Sequence, residues 1–217
     1  GYGAPADDLV PLGGELAGLL ADEDAERARA VRWYFPAAPD SADGVAFGRA
    51  WWQLDMERLI ALQRGDAGEP GARNEEVPEG MARARRMLTA VVDEIAMQTK
   101  LPHASIVLGG FSQGGMIATD VALRHEETPA GLAVLSGTLL AASEWRRRAR
   151  SRAGLHVYQS HGRRDPLLPF ADAEALRELL REAGLKVDFH AFEGQHEIPI
   201  SVLRGLASFV AARMPAA

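Results

Sequence analysis

The chain has 217 residues, a formal net charge of −6 and no cysteine, which excludes disulfides, thiol catalysis and Cys-type zinc sites and argues against nucleic acid as a partner, since polyanions are met by basic surfaces. Its length and its 47% apolar content suit one α/β domain, residues 1–217, with a sizeable core. No apolar stretch is long enough to span a bilayer as a helix, so membrane contact is at most peripheral.

Residues 7–20 read as a first helix, with Leu9, Val10, Leu12, Leu16 and Leu19 on one side. Residues 30–35 (Ala-Val-Arg-Trp-Tyr-Phe) read as a strand stopped by Pro36. A helical pattern over 54–63 is followed by a Gly-, Pro- and charge-rich stretch, 65–80, which is expected to be a surface loop within the domain. Residues 81–97 form an amphipathic pattern, with Ala84, Leu88, Val91 and Ile95 at helical spacing. Strands are expected near 105–110, 131–136, 155–160 and 187–192, alternating with helices, and a last helix over 198–213. Such alternation predicts an α/β fold: a mostly parallel central sheet with helices on both faces and no large cap domain.

The strongest local signal is Gly110-Phe111-Ser112-Gln113-Gly114, a G-x-S-x-G motif between a strand pattern and a helix pattern. That context makes a nucleophile elbow, a sharp turn that exposes the serine hydroxyl. A serine hydroxyl needs a base beside it to act as a nucleophile at neutral pH. An acid, Asp165, and a histidine, His196, follow in loops after the last two strands. Ser, Asp, His is the chain order of the α/β-hydrolase triad. In a parallel sheet such loops share the carboxyl edge, so the three can converge. Ser112 is then the nucleophile, His196 the general base and acid, and Asp165 the group that orients the imidazole. The backbone N–H of Gln113 is expected to donate to the oxyanion. Asp165 also has an N-cap reading for a helix starting near Pro166. His161 precedes the acid and breaks the order, which favours a structural role. His190 alternates within a strand and reads as structural, and His103, His125 and His156 carry no motif.

The chain resembles the phospholipase/carboxylesterase family of α/β-hydrolases, which includes the acyl-protein thioesterases. The resemblance rests on Gly1-Tyr2-Gly3, Phe35-Pro36-Ala37-Ala38-Pro39, Gly48-Arg49-Ala50-Trp51-Trp52, the elbow from Gly109 to Gly115, Leu135-Ser136-Gly137, His161-Gly162 with Asp165-Pro166, and Gly194-Gln195-His196. It implies a serine hydrolase that needs no cofactor and no metal. The implied substrates are carboxylic esters of short to medium acyl chains, with lysophospholipids and acyl thioesters as further candidates. It also implies that the N–H of Tyr2 is the second oxyanion donor. In the family a strand ending in His-Gly precedes the segment matching Gly1, so such a strand is expected upstream, and this sequence has nothing ahead of Gly1 to hold Tyr2 in its place. By the same resemblance Trp51, Trp52 and Leu168, with Leu167 beside it, line the acyl side of the site; the equal alternative is that one tryptophan is core and the other partly exposed.

The alternative to an enzyme is a non-catalytic ligand-binding module on the same fold. The run Trp145-Arg146-Arg147-Arg148-Ala149-Arg150-Ser151-Arg152 has two readings, a contact for anionic lipid headgroups or a solvated helix face paired with acidic neighbours, and the second is favoured. The expected partner is a small acyl ester or lipid substrate, a homodimer is possible, and the expected location is cytoplasmic.

Overall fold

A computed structural model describes residues 1–54 and 74–214. The helix expected over 54–63 and most of the loop expected over 65–80 lie outside the described residues. In chain order the elements are α1 (Val10–Ala28), β1 (Asp40–Ser41), β2 (Arg49–Ala50), α2 (Met81–Thr99), β3 (Val107–Phe111), α3 (Gln113–Arg124), β4 (Gly131–Leu135), α4 (Ala142–Ala149), β5 (His156–Gly162), α5 (Phe170–Glu182), β6 (Lys186–Phe192) and α6 (Ile200–Ala211), with a 3-10 turn, His103–Ser105, ahead of β3. None of the described helices is long and apolar enough to cross a membrane.

β3 to β6 form one parallel sheet in the order β3-β4-β5-β6. β4 (Gly-Leu-Ala-Val-Leu) is buried along its whole length, as a central parallel strand covered on both faces should be. Its side chains alternate between two cores. Leu132 and Val134 pack with α2, α3, α4 and α5, whereas Ala133 and Leu135 pack with Leu16 and Leu20 of α1 and Val202, Leu206 and Phe209 of α6. The sheet advances in one direction, so right-handed crossovers put α3, α4 and α5 on one face. α1 and α6 cover the other, which is the two-faced α/β architecture expected from the alternation.

Three sequence expectations change. The first helical run spans Val10–Ala28, with a break at Asp24 (φ −157°, ψ 98°), rather than 7–20, and Val10 is exposed. Residues 30–35 keep the strand's alternation, with Val31, Trp33 and Phe35 turned inward and Arg32 and Tyr34 outward, but form no ladder. Side-chain period alone does not make a strand: the segment packs Val31 and Trp33 on the α1–α6 core, and no described strand pairs with it. In α2 the buried stripe is Met81, Ala84, Leu88 and Val92, one residue on from Val91, which is exposed.

A buried charge ties three helices together. Asp120 of α3, fully buried, accepts from Arg124 Nε at 2.8 Å, Trp145 Nε1 of α4 at 2.8 Å and Arg85 Nη1 of α2 at 2.9 Å. The basic run is thereby split. Trp145 is core, Arg147 and Arg148 pair with Glu144, and Arg152 is buried against the carbonyls of Ala122 and His125 and the hydroxyl of Thr128. Removing one partner from a buried ion pair strands the other charge. Asp120→Ala should therefore cost about 3 kcal/mol, read as a fall in Tm of roughly 6–12 °C in a domain of this size. A loss below about 1 kcal/mol, the usual worth of an exposed pair, would contradict that reading.

Candidate active site

The elbow is built by backbone contact. β3 ends at Phe111 and α3 begins at Gln113, and Ser112 between them has φ 56° and ψ −124°. Such angles cost about 1–3 kcal/mol and persist only where surroundings enforce them. Here Ser112 N–H donates to Leu135 O of β4 (2.8 Å), and Ser112 O accepts from Gly115 N–H (2.9 Å) and Met116 N–H (3.2 Å). A Cβ on Gly110 would lie 2.2 Å from the carbonyl carbon of Gly114. Only glycine at position 110 lets the helix start this close to the strand. The serine therefore sits at the amino end of α3, where backbone N–H groups lack intrahelical partners and favour negative charge. The N–H of Gln113 is among them.

The acid and the base come from adjacent strand ends. A Cβ on Gly162, the last residue of β5, would lie 2.1 Å from Gln195 O, so this glycine lets the two loops touch. Arg163 N–H donates to Phe192 O and Arg164 N–H to Gly194 O, both at 2.9 Å. With the loops zipped, Nδ1 of His196 lies 2.6 Å from Oδ2 of Asp165. The other carboxylate oxygen accepts from the N–H groups of Leu167 and Leu168, each at 2.9 Å. Burial opposes the charge on Asp165. The hydrogen bonds from His196, Leu168 and Leu167 outweigh it and hold the carboxyl below its ordinary range. With Nδ1–H donated to Asp165, the lone pair of His196 is on Nε2. The ring of Phe111, the residue before Ser112, lies 4.7 Å from the His196 ring, centroid to centroid, which puts the imidazole beside the elbow.

The first residues lie against the same elbow. A Cβ on Gly1 would be 3.6 Å from Cβ of Ser112. The anchors of this segment lie downstream: Gly3 N–H donates to Arg49 O and Arg49 N–H to Ala4 O, both at 2.9 Å, and the Tyr2 hydroxyl reaches Gln53 Oε1 at 3.2 Å.

The family model for phospholipase/carboxylesterase proteins matches residues 19–214. The chain belongs to the phospholipase/carboxylesterase family. Curated relatives include mouse lysophospholipase-like protein 1, 30% identical over 60% of this chain and 55% of that protein. A probable carboxylesterase of Oryza sativa subsp. japonica is 28% identical over 84% of this chain and 66% of its own length. Acyl-protein thioesterase 1 of Neurospora crassa is 24% identical over 88% and 77%. The chain thus spans 55% and 66% of the lengths of the mouse and rice proteins. Among solved structures, esterase PE8 superposes with a TM-score of 0.77 at 24% identity, covering 99% of this chain and 89% of that one. Arabidopsis thaliana SOBER1 gives 0.74 at 22%, covering 98% and 95%. These likenesses establish the α/β-hydrolase architecture.

Within this family fold the two histidines near the acid separate by access. His161 is fully buried, its Nε2 is 2.9 Å from Leu168 O and 3.3 Å from Asp165 Oδ2, and burial lowers its pKa. Its other nitrogen is buried without a hydrogen-bond partner among the described residues. A neutral His161 donating from Nε2 braces the 165–168 turn and cannot reach a substrate. That turn is what Asp165 caps. α5 itself begins later, at Phe170, with Pro169 at its N-cap, so the helix expected near Pro166 is replaced by a side-chain-capped turn.

The pocket residues separate in the same way. Trp52 is 2% exposed and packs in the core, which is the reading of one tryptophan in the core and the other partly exposed. Trp51 is partly exposed, and its Nε1 would lie 3.9 Å from a Cβ on Gly114, over the elbow. Leu167 and Leu168 are partly buried beside the acid. Sequence reasoning used Gln113 only for its backbone. Its buried side chain holds the tryptophan pair, with Oε1 accepting Trp51 N–H (2.9 Å) and Nε2 donating to Trp52 O (2.8 Å). A glutamine next to the motif serine was the available signal, but its partners lie 61 and 62 residues away.

Two measurements follow. Gln113→Leu leaves a buried N–H and a buried C=O unpaired, about 1–3 kcal/mol each. It should lower stability and loosen Trp51, seen as a red-shifted, more quenchable tryptophan fluorescence; unchanged stability and emission would contradict the clamp. Asp165 has a depressed folded-state pKa, so its contribution is fully present above the unfolded value of about 3.9 and is lost as pH falls through the folded value. Urea denaturation of wild type and Asp165→Asn should therefore differ most at neutral pH and converge toward about pH 2; a gap that widens on acidification would reverse the assignment.

Proposed function

We infer that this chain is a serine carboxylesterase working through Ser112, His196 and Asp165 by way of an acyl-enzyme. The observation that carries the reading is the 2.6 Å pairing of His196 with Asp165 beside a strained serine at a helix amino end. Ser112 Oγ attacks the substrate carbonyl carbon and its proton passes to His196 Nε2. The carbonyl oxygen becomes an oxyanion that accepts from the N–H of Gln113 and the N–H of Tyr2, donors of a kind worth about 10²–10³ in turnover each. The intermediate collapses as His196 returns its proton to the leaving alcohol or thiol. Water then attacks the acyl-Ser112 ester, giving up its proton to His196, which returns it to Ser112 Oγ as the carboxylic acid leaves. Asp165 keeps the imidazole in the tautomer these transfers require.

The names of the relatives, a lysophospholipase-like protein, a probable carboxylesterase and an acyl-protein thioesterase, support an acyl group bound to oxygen or sulfur as the common substrate feature. Trp51 over the elbow, with Leu167 and Leu168 across the acid, supplies apolar surface for a short to medium acyl chain.

The protein should release p-nitrophenol from p-nitrophenyl butyrate with a pre-steady-state burst and take up a fluorophosphonate on Ser112. Ser112→Ala should lose both, with kcat down by about 10⁴-fold or more, and Asp165→Asn should lose about 10⁴-fold. Full labelling or turnover in Ser112→Ala would refute the nucleophile. An unreactive wild type would favour the ligand-binding module.

A further inference from the structure

At the opposite end of α3 from Ser112, three elements bring two imidazoles and a carboxylate together. Asp93 lies on α2, His103 in the 3-10 turn before β3, and His125 at the C-cap of α3. Asp93 Oδ1 is 3.0 Å from His103 Nε2 and 2.9 Å from His125 Nε2. One ligand atom from each of the three residues falls within 4.8 Å of the others. The histidines are mostly buried, with side-chain exposures of 12% and 7%, whereas Asp93 at 54% faces solvent.

We propose that Asp93, His103 and His125 form a binding site for a divalent transition-metal ion, with zinc as its natural class. Zinc takes nitrogen and oxygen ligands at about 2.0–2.2 Å, which places tetrahedral ligand atoms roughly 3.3 Å apart. The two oxygen–nitrogen separations are already close to that figure, and a small rotation of the rings (their centroids lie 4.3 Å apart) brings the nitrogens to the same spacing. Imidazole ligands favour zinc, nickel or copper over calcium and magnesium, which take oxygen.

The outer contacts point the same way. A metal-binding histidine donates its other N–H to a carboxylate or a carbonyl, which fixes the tautomer. Here one residue serves both rings. Glu127 Oε1 lies 3.1 Å from His103 Nδ1, and His125 Nδ1 lies 3.1 Å from Glu127 O and 3.0 Å from the Glu127 nitrogen, whose N–H can donate to it. With Nδ1–H donated to Glu127 Oε1, His103 carries its lone pair on Nε2, and His125 does so in the tautomer that donates Nδ1–H to Glu127 O, the one that metal binding at Nε2 selects over the tautomer that accepts Glu127 N–H. Asp93 and Glu127 together match a divalent charge, and the carboxyl end of α3 adds partial negative charge. Arg152, bonded to the carbonyls of Ala122 and His125, takes up part of that helix end and places an opposing charge there. Three protein ligands leave at least one position for water. The site is about 18 Å from the nucleophile along α3, so its effect is to fasten α2, the turn into β3 and the end of α3 to one another.

The test uses the full chain stripped with a chelator and titrated with Zn2+ by calorimetry and with Co2+ by visible absorption. Expected are one equivalent of zinc at micromolar or tighter affinity, cobalt d–d bands of a low-coordinate nitrogen–oxygen site, and a Tm raised by roughly 5–10 °C at a free zinc concentration about a hundred times Kd. His103→Ala/His125→Ala should weaken zinc at least about a hundredfold, and Glu127→Ala, which touches no metal, about 10–100-fold. His125→Gln alone serves if the double variant does not fold. His156→Ala, remote from the cluster, should bind as wild type. Zinc uptake no tighter in wild type than in the histidine variants, or none at millimolar metal, would overturn the proposal and leave an ion-paired histidine cluster only.

Discussion

A Cβ on Gly110 would stand 2.2 Å from the carbonyl carbon of Gly114. That one contact sets how closely α3 can follow β3, and most of the carboxyl edge depends on it. Because the helix starts so close to the strand, Ser112 is forced to φ 56° and its hydroxyl sits at the helix amino end. Because the helix starts there, the side chain of Gln113 is carried into the core, where it meets Trp51 and Trp52. The aromatic beside the elbow and the serine within it are thus positioned by the same backbone crossing.

The strain is held in place from the far side of the helix. Asp120, buried in the middle of α3, accepts from α2, from α4 and from its own helix. Arg152 closes the carboxyl end on the carbonyls of Ala122 and His125. Such polar contacts are directional where apolar packing is not, so they fix the rotation and height of α3 as well as its burial. A segment with unfavourable angles at its first residue needs that kind of restraint.

Asp165 and His196 illustrate the same economy of backbone. Gly162 leaves room for Gln195 O, two main-chain hydrogen bonds join the loops, and the 2.6 Å pairing of Asp165 and His196 follows from that seam. His161 and the N–H groups of Leu167 and Leu168 hold the acid's turn from beneath. The carboxylate stays charged although buried because each of its oxygens is hydrogen-bonded.

Much of this was legible in the sequence. Hydrophobic period marked the four sheet strands and the helices between them, since a 2-residue or 3.6-residue repeat is a local property of the chain. G-x-S-x-G with a later acid and histidine was legible for a related reason: a parallel sheet brings its strand ends to one edge whatever the spacing between them. Tertiary structure decided what depends on partners. Residues 30–35 have a strand's alternation but no ladder, because pairing requires a neighbour that period does not supply. Trp51 and Trp52 are identical in type and adjacent, yet one lies over the elbow and the other in the core, since adjacent side chains point apart. The basic run looked uniform and is divided among core, ion pair and buried cap, and two histidines without any motif meet at Asp93 because a turn and two helix ends converge there. Composition and period are written along the chain; which side chains meet is settled only when the elements pack.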